Sequence, residues 1–535
     1  MKNKLLKRAV VCVAAASLLM SAGCGKKEEQ TRQVGDFTFK QDELQFTWYN
    51  NSDTAAATRW ADTSILEKWI TDNLKVSVTY MDPGGASAEK LATMIVSDEF
   101  PDVMTMSKGQ DVQKLIKAKK VVPLNEYMEK YTNLSGDFET SRVLELFRQE
   151  DGNIYEIPNW ANAAGNANGN NAWAINQKVY EDLGSPKLES FDDLYVFLKQ
   201  VKEKYPDMIP YETTDVFQGE RYVLAGMAEE LPPDHLDFYA YPQDGKLVSI
   251  FEHPAYRETW LFLNKLYREK LMTQDPFSQT SDQVKEKYRN NKVAVTSAAL
   301  NMYDSSRTDM IQHGTDWITI VPLMKEGLDR SKVYSQGFDR SGWTEFVITK
   351  DAANPEGIYA YIDWLYSPEG QRLFSYGPMG TYYDEVTEEG YPILNEKWFN
   401  TKNPMKELKG NGSGSQIGNT SFIDSCGIFV DNNSPEERKS WGKKQQLSHI
   451  WPYAKDVTEY ANITPVPGTE EGTIFQKITD LHKEARAKML FAASSDEVEQ
   501  ILDKFIEDTK KAKIDKVLAY EEERWKDNRA KLGLD

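Results

Sequence analysis

Hydrophobic positions along the chain follow three distinct patterns. From Ala9 to Ala22 nearly every residue is apolar or small, after a basic start of Lys2, Lys4, Lys7 and Arg8. A basic head, a short apolar run and small residues at its end describe a secretory signal. The run is shorter than the roughly 20 apolar residues that span a bilayer, so it reads as a cleaved segment rather than a permanent helix. Further on, Leu44, Phe46 and Trp48 alternate with Gln45 and Thr47 and end in the polar stretch Asn50 to Asp53. That is a strand emptying into a loop. Trp60, Ile65, Leu66, Trp69 and Ile70 then stand near helical spacing, with Ser64 followed by Glu67 as a candidate cap. "KVSVTYMD" alternates again. The order strand, helix, strand opens a parallel α/β unit. Residues 89–131 continue it with a helix, a turn at Asp98 to Pro101, the short strand "DVMTM" and a second helix.

Composition narrows the function. The chain has 64 basic and 83 acidic residues, a net charge of −19. Loss of the four basic residues of the signal leaves 60 against 83, or −23. Such a surface repels nucleic acid and anionic lipid, both of which need a basic face. Three cysteines are present, and Cys12 lies inside the signal. Only Cys24 and Cys426 remain, so no disulfide framework or CxxC metal site is expected. Thirteen Trp and 27 Tyr are many. Partly wet aromatic rings stack on the C–H faces of sugars, although most such rings serve core packing.

Enzymatic motifs are absent. The five His (His235, His253, His313, His449 and His482) are not within helical reach of one another, and HExxH does not occur. "GNGSGSQ" lacks the spacing of a phosphate loop and of a nucleophile elbow. "DPGGASAEK" lacks the alternating ligands of a calcium loop. No cofactor and no metal are expected.

Several segments carry a resemblance. Ser21-Ala22-Gly23-Cys24 is similar to a bacterial lipobox, with Ser21 in place of the usual leucine. Pro101-Asp102, Pro123-Leu124-Asn125, "DGNIYEIPNWAN" (151–162), "NAWAINQKVYEDLGSP" and "NKVAVTSAALNMYD" resemble, in order, segments of the extracellular solute-binding proteins of ABC importers. They fit the group that takes up oligosaccharides. Asn354-Pro355-Glu356, Ser367-Pro368-Glu369-Gly370 and Gly377-Pro378-Met379-Gly380 extend the resemblance to about residue 400.

That resemblance implies a two-lobed α/β fold of the periplasmic-binding-protein type II, each lobe a mixed, mostly parallel sheet flanked by helices, with the ligand cleft at the hinge. It implies a signal peptide over 1–23 and a lipidated Cys24 with a flexible tether over 24–38. Lobe one takes 39–162 and 337–405, and lobe two takes 163–336. A variable loop and C-terminal helices over 406–535 are expected mainly on lobe two. The Gly-, Ser- and Asn-rich stretch Lys406 to Ser421 is expected to be a mobile surface loop. The charged stretch 496–532, with Val498, Ile501, Leu502, Phe505 and Ile506 on one face, is expected to pack on lobe two.

Clefts of this kind lie at the carboxyl ends of strands, and that rule selects the candidate ligand-binding residues. Trp48, Asn50 and Asn51 follow the first strand, and Ser107 and Lys108 follow "DVMTM". Asn159 and Trp160 stand at the first crossover, facing Asn171 and Trp173. Asn301, Tyr303 and Asp304 end a returning strand, and Asp339, Arg340 and Trp343 lie near the second crossing. Trp48, Trp160, Trp173 and Trp343 would stack on sugar rings, and the Asn, Asp and Arg side chains would bind hydroxyls. No catalytic residue is assigned. The expected partners are a sugar or oligosaccharide, the permease subunits of an ABC importer and, through Cys24, the outer face of the cell membrane. No nucleic acid is expected, and a monomer is. A lipid-anchored glycan-degrading enzyme and a binding lipoprotein for a peptide or other cargo remain open alternatives.

Overall fold

The computed structural model describes residues 31–34, 37–40, 43–52, 60, 63–81, 83–138, 142–410 and 417–534. The signal segment and Cys24 lie outside these residues. Part of the expected tether does not: Thr31–Val34 pairs antiparallel with Phe37–Lys40. This hairpin sits beside helices Ile65–Leu74 and Pro355–Tyr366.

Two sheets define two α/β lobes. The first has the order 76–81, 44–50, 103–107, 344–348, 157–159, and the second 317–320, 171–176, 293–299, 209–213. Among the described residues, one strand in each sheet runs against the others: Thr344–Ile348 in lobe one and Asn171–Asn176 in lobe two. The connectivity requires this. The chain leaves lobe one at the carboxyl edge after Asn159 and enters lobe two at its facing edge, so the entering strand runs backwards. The return at Thr344 obeys the same constraint. Both reversed strands therefore begin at the cleft.

Local sequence explains the elements. In Leu44–Asn50 the inward residues Leu44, Phe46 and Trp48 alternate with more exposed ones. The Ser64 hydroxyl accepts the Glu67 N–H at 3.2 Å and starts the first lobe-one helix. Ser190 and Asp193 form a reciprocal capping box, each bond 3.0 Å. Between the lobes, Gln336–Phe338 pairs parallel with Ala454–Asp456 as a two-stranded hinge. Gln336 also ties in the first crossover: its side chain donates to Asn168 O at 2.6 Å and accepts Asn171 N–H at 2.9 Å.

Three long helices close the chain: Glu470–Phe491, Ser495–Lys511 and Ile514–Leu532. The first two pack into the lobe-two core through Ile478, Met489, Val498, Leu502 and Phe505. The last departs from expectation. Ile514 and Val517 belong to the lobe-two core, but Leu532 packs against the lobe-one core, so this helix spans both lobes. No described helix is long and apolar enough to cross a membrane.

Candidate functional site

The carboxyl edge of lobe one gathers Asn50, Asn51, Ser107, Lys108, Asn159, Trp160 and Trp343. Register brings them together: Asn50 pairs with Thr105, and Thr344 lies between Ser107 and Asn159. The facing edge of lobe two begins at Asn171, paired with Ala299, with Asn301 exposed at the start of the helix that follows.

At the centre of the lobe-one edge two indoles stack. Trp160 and Trp343 have ring centroids 5.4 Å apart and planes 2° from parallel. Trp343 is 57% exposed and Trp160 half-buried. Trp160 takes a left-handed backbone conformation, φ 60°, which for a bulky residue costs of order 1–3 kcal/mol. Hydrogen bonds hold it there. Asn159 Oδ1 accepts the N–H of Trp160 at 2.9 Å and that of Gly418 at 2.8 Å, and Thr420 Oγ1 donates to Trp160 O at 2.8 Å. Gly418 lies so close that a Cβ there would sit 2.0 Å from the Trp160 ring. A Cβ on Gly342, whose φ is 75°, would sit 2.0 Å from Asn159 O. The platform therefore depends on two glycines as well as on two tryptophans.

Segment 417–421 was expected to belong to a mobile surface loop. Its residues Ile417, Gly418, Asn419 and Thr420 are instead buried against lobe one: the Gly418 N–H and the Thr420 hydroxyl brace the Trp160 segment, and Ile417 O and the Asn419 N–H bond the Gln371 side chain. The expected site also missed Ser421, whose hydroxyl donates to buried Asn162 at 3.0 Å.

Four expected ligand contacts are corrected. Trp48 is 4% exposed, set among Phe46, Tyr80 and Phe346, with its N–H donated to Thr105 Oγ1 at 2.7 Å. Its parity with Leu44 and Phe46 points it into the lobe-one core. Trp173 is 1% exposed and packs on Phe191, Tyr211 and Tyr222 within lobe two. Tyr303 is fully buried against Trp317 and Trp441. None of these rings has a face free for a ligand. Asn159 is also buried and acts as a brace.

The charged candidates are engaged within the protein. The Lys108 ammonium pairs with Asp339 and donates to Ser341 Oγ at 2.8 Å. Asp339 Oδ1 in turn accepts the Ser341 N–H at 2.8 Å and hydroxyl at 2.6 Å. Arg340 donates from Nη2 to Ala163 O at 2.7 Å. Asp304 lies 3.8 Å from Arg307; burial raises its carboxyl, and Arg307 opposes that. Asn51 Oδ1 accepts the Tyr49 hydroxyl at 3.0 Å.

A cavity of about 1080 Å³ lies elsewhere, between lobe one and the last helix, lined by Gln110, Gln113, Arg148, Asn462 and Arg524 among others. None of the expected site residues lines it. Among the described residues no group of three or more His, Cys, Asp or Glu side chains is placed to hold a metal.

The family model described as bacterial extracellular solute-binding protein matches residues 57–372. The chain is 23% identical over 399 residues to Lipoprotein LipO of Bacillus subtilis, covering 72% of this chain and 75% of LipO. Its fold is similar to that of the S. pneumoniae ABC-transporter substrate-binding protein FusA in complex with kestose, with a TM-score of 0.65 and 17% identity. That match covers 91% of this chain and 99% of FusA. It is also similar to the alginate-binding protein AlgQ2, with a TM-score of 0.65, 16% identity and coverage of 91% and 99%.

Proposed function

The chain belongs to the bacterial extracellular solute-binding proteins, and from that premise we propose that it captures a carbohydrate, an oligosaccharide in particular, between its lobes. It then delivers this cargo to the membrane subunits of an ABC importer. Lipid on Cys24 holds it at the outer face of the cell membrane, since two acyl chains anchor a protein where one does so only marginally. It works as a binding protein without turning its cargo over.

The observation that carries this reading is the Trp160–Trp343 stack. A rigid double indole with one exposed outer face, at a strand-end edge rich in Asn, suits the apolar face of a sugar ring and its surrounding hydroxyls. The kestose named for FusA and the alginate named for AlgQ2 agree with it. Closure would turn about the strands 336–338 and 454–456, a hinge motion. The cargo favours the closed form only through contacts it makes better there.

The test is a thermal-shift screen of the full chain in detergent against oligosaccharides, with peptides as controls. A ligand at 100 times its Kd adds about 2.7 kcal/mol of stability. The expected result is a shift with one oligosaccharide class, the sugar recovered intact, and loss of at least tenfold in affinity in Trp343→Ala. A shift with peptides alone would replace carbohydrate as the cargo. A sugar recovered cleaved would make the protein an enzyme.

A further inference from the structure

The cations of the lobe edges and their surroundings are mostly held by the protein's own groups. Lys108 follows a lobe-one strand and is held by Asp339 and Ser341, and its charge acts on the buried carboxyl groups of Glu156 and Glu345. Arg340 is turned into the first crossover, against Gly165 and Ala163 O, and it acts on the Asp456 carboxyl. In lobe two, toward the end of strand 171–176 that lies away from the cleft, Arg307 makes a fork of two bonds to Asp316, at 2.8 and 2.6 Å, while lying over the Trp441 ring. Lys443 pairs with Asp424 at 3.2 Å and lies over the Trp451 ring. Lys108, Arg307 and Lys443 thus already have a carboxylate of the protein within 4 Å, whereas Arg340 is held by a backbone carbonyl.

An anionic sugar would have to compete with Asp339 for the charge of Lys108 and with Asp424 for that of Lys443. The displaced carboxylate would then be left partly buried beside the ligand's own negative charge, and both effects oppose binding. The chain's charge of −19 adds a longer-range repulsion of the same sign. The neutral stacking platform of Trp160 and Trp343 carries no such penalty.

Building on the carbohydrate reading above, we infer that the cleft selects uncharged glycans and rejects uronic-acid and sulfated ones. Asp339 sets this selectivity by keeping Lys108 occupied. The inference separates the two cargo types named for the similar folds, the neutral kestose and the anionic alginate, and assigns this chain to the first type.

The test titrates the full chain in detergent, by calorimetry and tryptophan fluorescence, with two series of matched length. One series holds fructo-, malto-, xylo-, manno- and galacto-oligosaccharides, and the other oligogalacturonates and alginate oligomers. At least one neutral series member should bind, with Kd changing less than threefold between 20 and 500 mM NaCl. Every uronate should bind at least 100-fold more weakly. Asp339→Asn should then gain at least tenfold for the uronates, with a salt-sensitive Kd, because Lys108 is released.

A uronate binding as tightly as the best neutral sugar would overturn the inference and leave carbohydrate capture standing. Failure of both series would overturn capture itself, and this inference with it. Rejection of uronates by both the native chain and a folded Asp339→Asn variant would overturn the role given to Asp339. The native measurement needs no variant, so misfolding of Asp339→Asn leaves the selectivity open to refutation.

Discussion

Both lobes bury carboxyl groups completely, and they treat them differently. In lobe two, Glu220 Oε1 accepts from Trp260 Nε1 at 3.1 Å and bonds His482 Nε2 at 3.0 Å, while Oε2 faces the Arg486 guanidinium at 3.7 Å. Burial raises this carboxyl, but its contacts with His482 and the Arg486 guanidinium outweigh burial and leave it below its ordinary range. In lobe one, beside the hinge, Glu156 accepts one bond, from Gln113 at 2.6 Å. Its second oxygen, and both oxygens of Glu345, have no hydrogen-bond partner. Burial, and for Glu156 the neighbouring Glu345, drive both upward, Glu345 to about 8. The lobe-two cluster joins helices 216–227, 254–268 and 470–491 into one body. The lobe-one pair joins nothing of that kind. A buried charge can therefore clamp a structure or burden it, and its partners decide which.

The sharpest way to break this contrast is to remove each group. Glu220→Ala should cost about 3–5 kcal/mol, because it strands the buried Arg486. Glu345→Gln should change stability by no more than about 1 kcal/mol at pH 5, since no bond is lost. Urea unfolding measures both, and similar costs for the two variants would erase the distinction.

The aromatic residues repeat the contrast between an interior and an edge. Trp173→Ala should destabilise by about 3–5 kcal/mol through the cavity it leaves. Trp343→Ala should stay within about 0.5 kcal/mol, as expected for an exposed site. A large stability loss in Trp343→Ala would make that ring a packing element.

A further difference concerns pH. An unfolded chain ionises Glu345 near 4.5, whereas the folded protein holds its proton to about 8. Between those values the folded state binds the extra proton, so stability falls as pH rises through the window. Native protein should therefore lose stability relative to Glu345→Gln between pH 5 and pH 8. A constant difference between the two would show that Glu345 ionises normally.

Much of the architecture was legible in local pattern. Alternation marked the strand at Leu44, and spacing marked the caps at Ser64 and Ser190. The two-lobed fold followed from the resemblance. Side-chain direction at strand ends was less legible. Trp48 was nominated for its place at the end of a strand, although its parity with Leu44 already set it inward. Trp173 gave no such warning, because its strand is covered on both faces and Ala172 to Asn176 are all buried. Trp160 and Trp343 were both nominated, but their stacking joins residues 183 positions apart and leaves no local trace. Gly418 was hidden for another reason. Glycine serves loose loops and tight backbone approach alike, and composition cannot separate the two. The break at Lys513, where φ is 71°, likewise left the direction of the last helix unread.

That helix has a mechanical consequence. Its 19 residues make a stiff rod of about 28 Å, rooted in lobe two with its far tip on lobe one beside Arg142. A rod cannot stretch, so a rotation of the lobes by 10° would swing the tip through an arc of about 5 Å, close to one helical pitch. Small angular strokes at the hinge thus become whole-turn steps at the tip. A spectroscopic label near Leu532 would read the stroke with greater gain than one placed on the hinge strands.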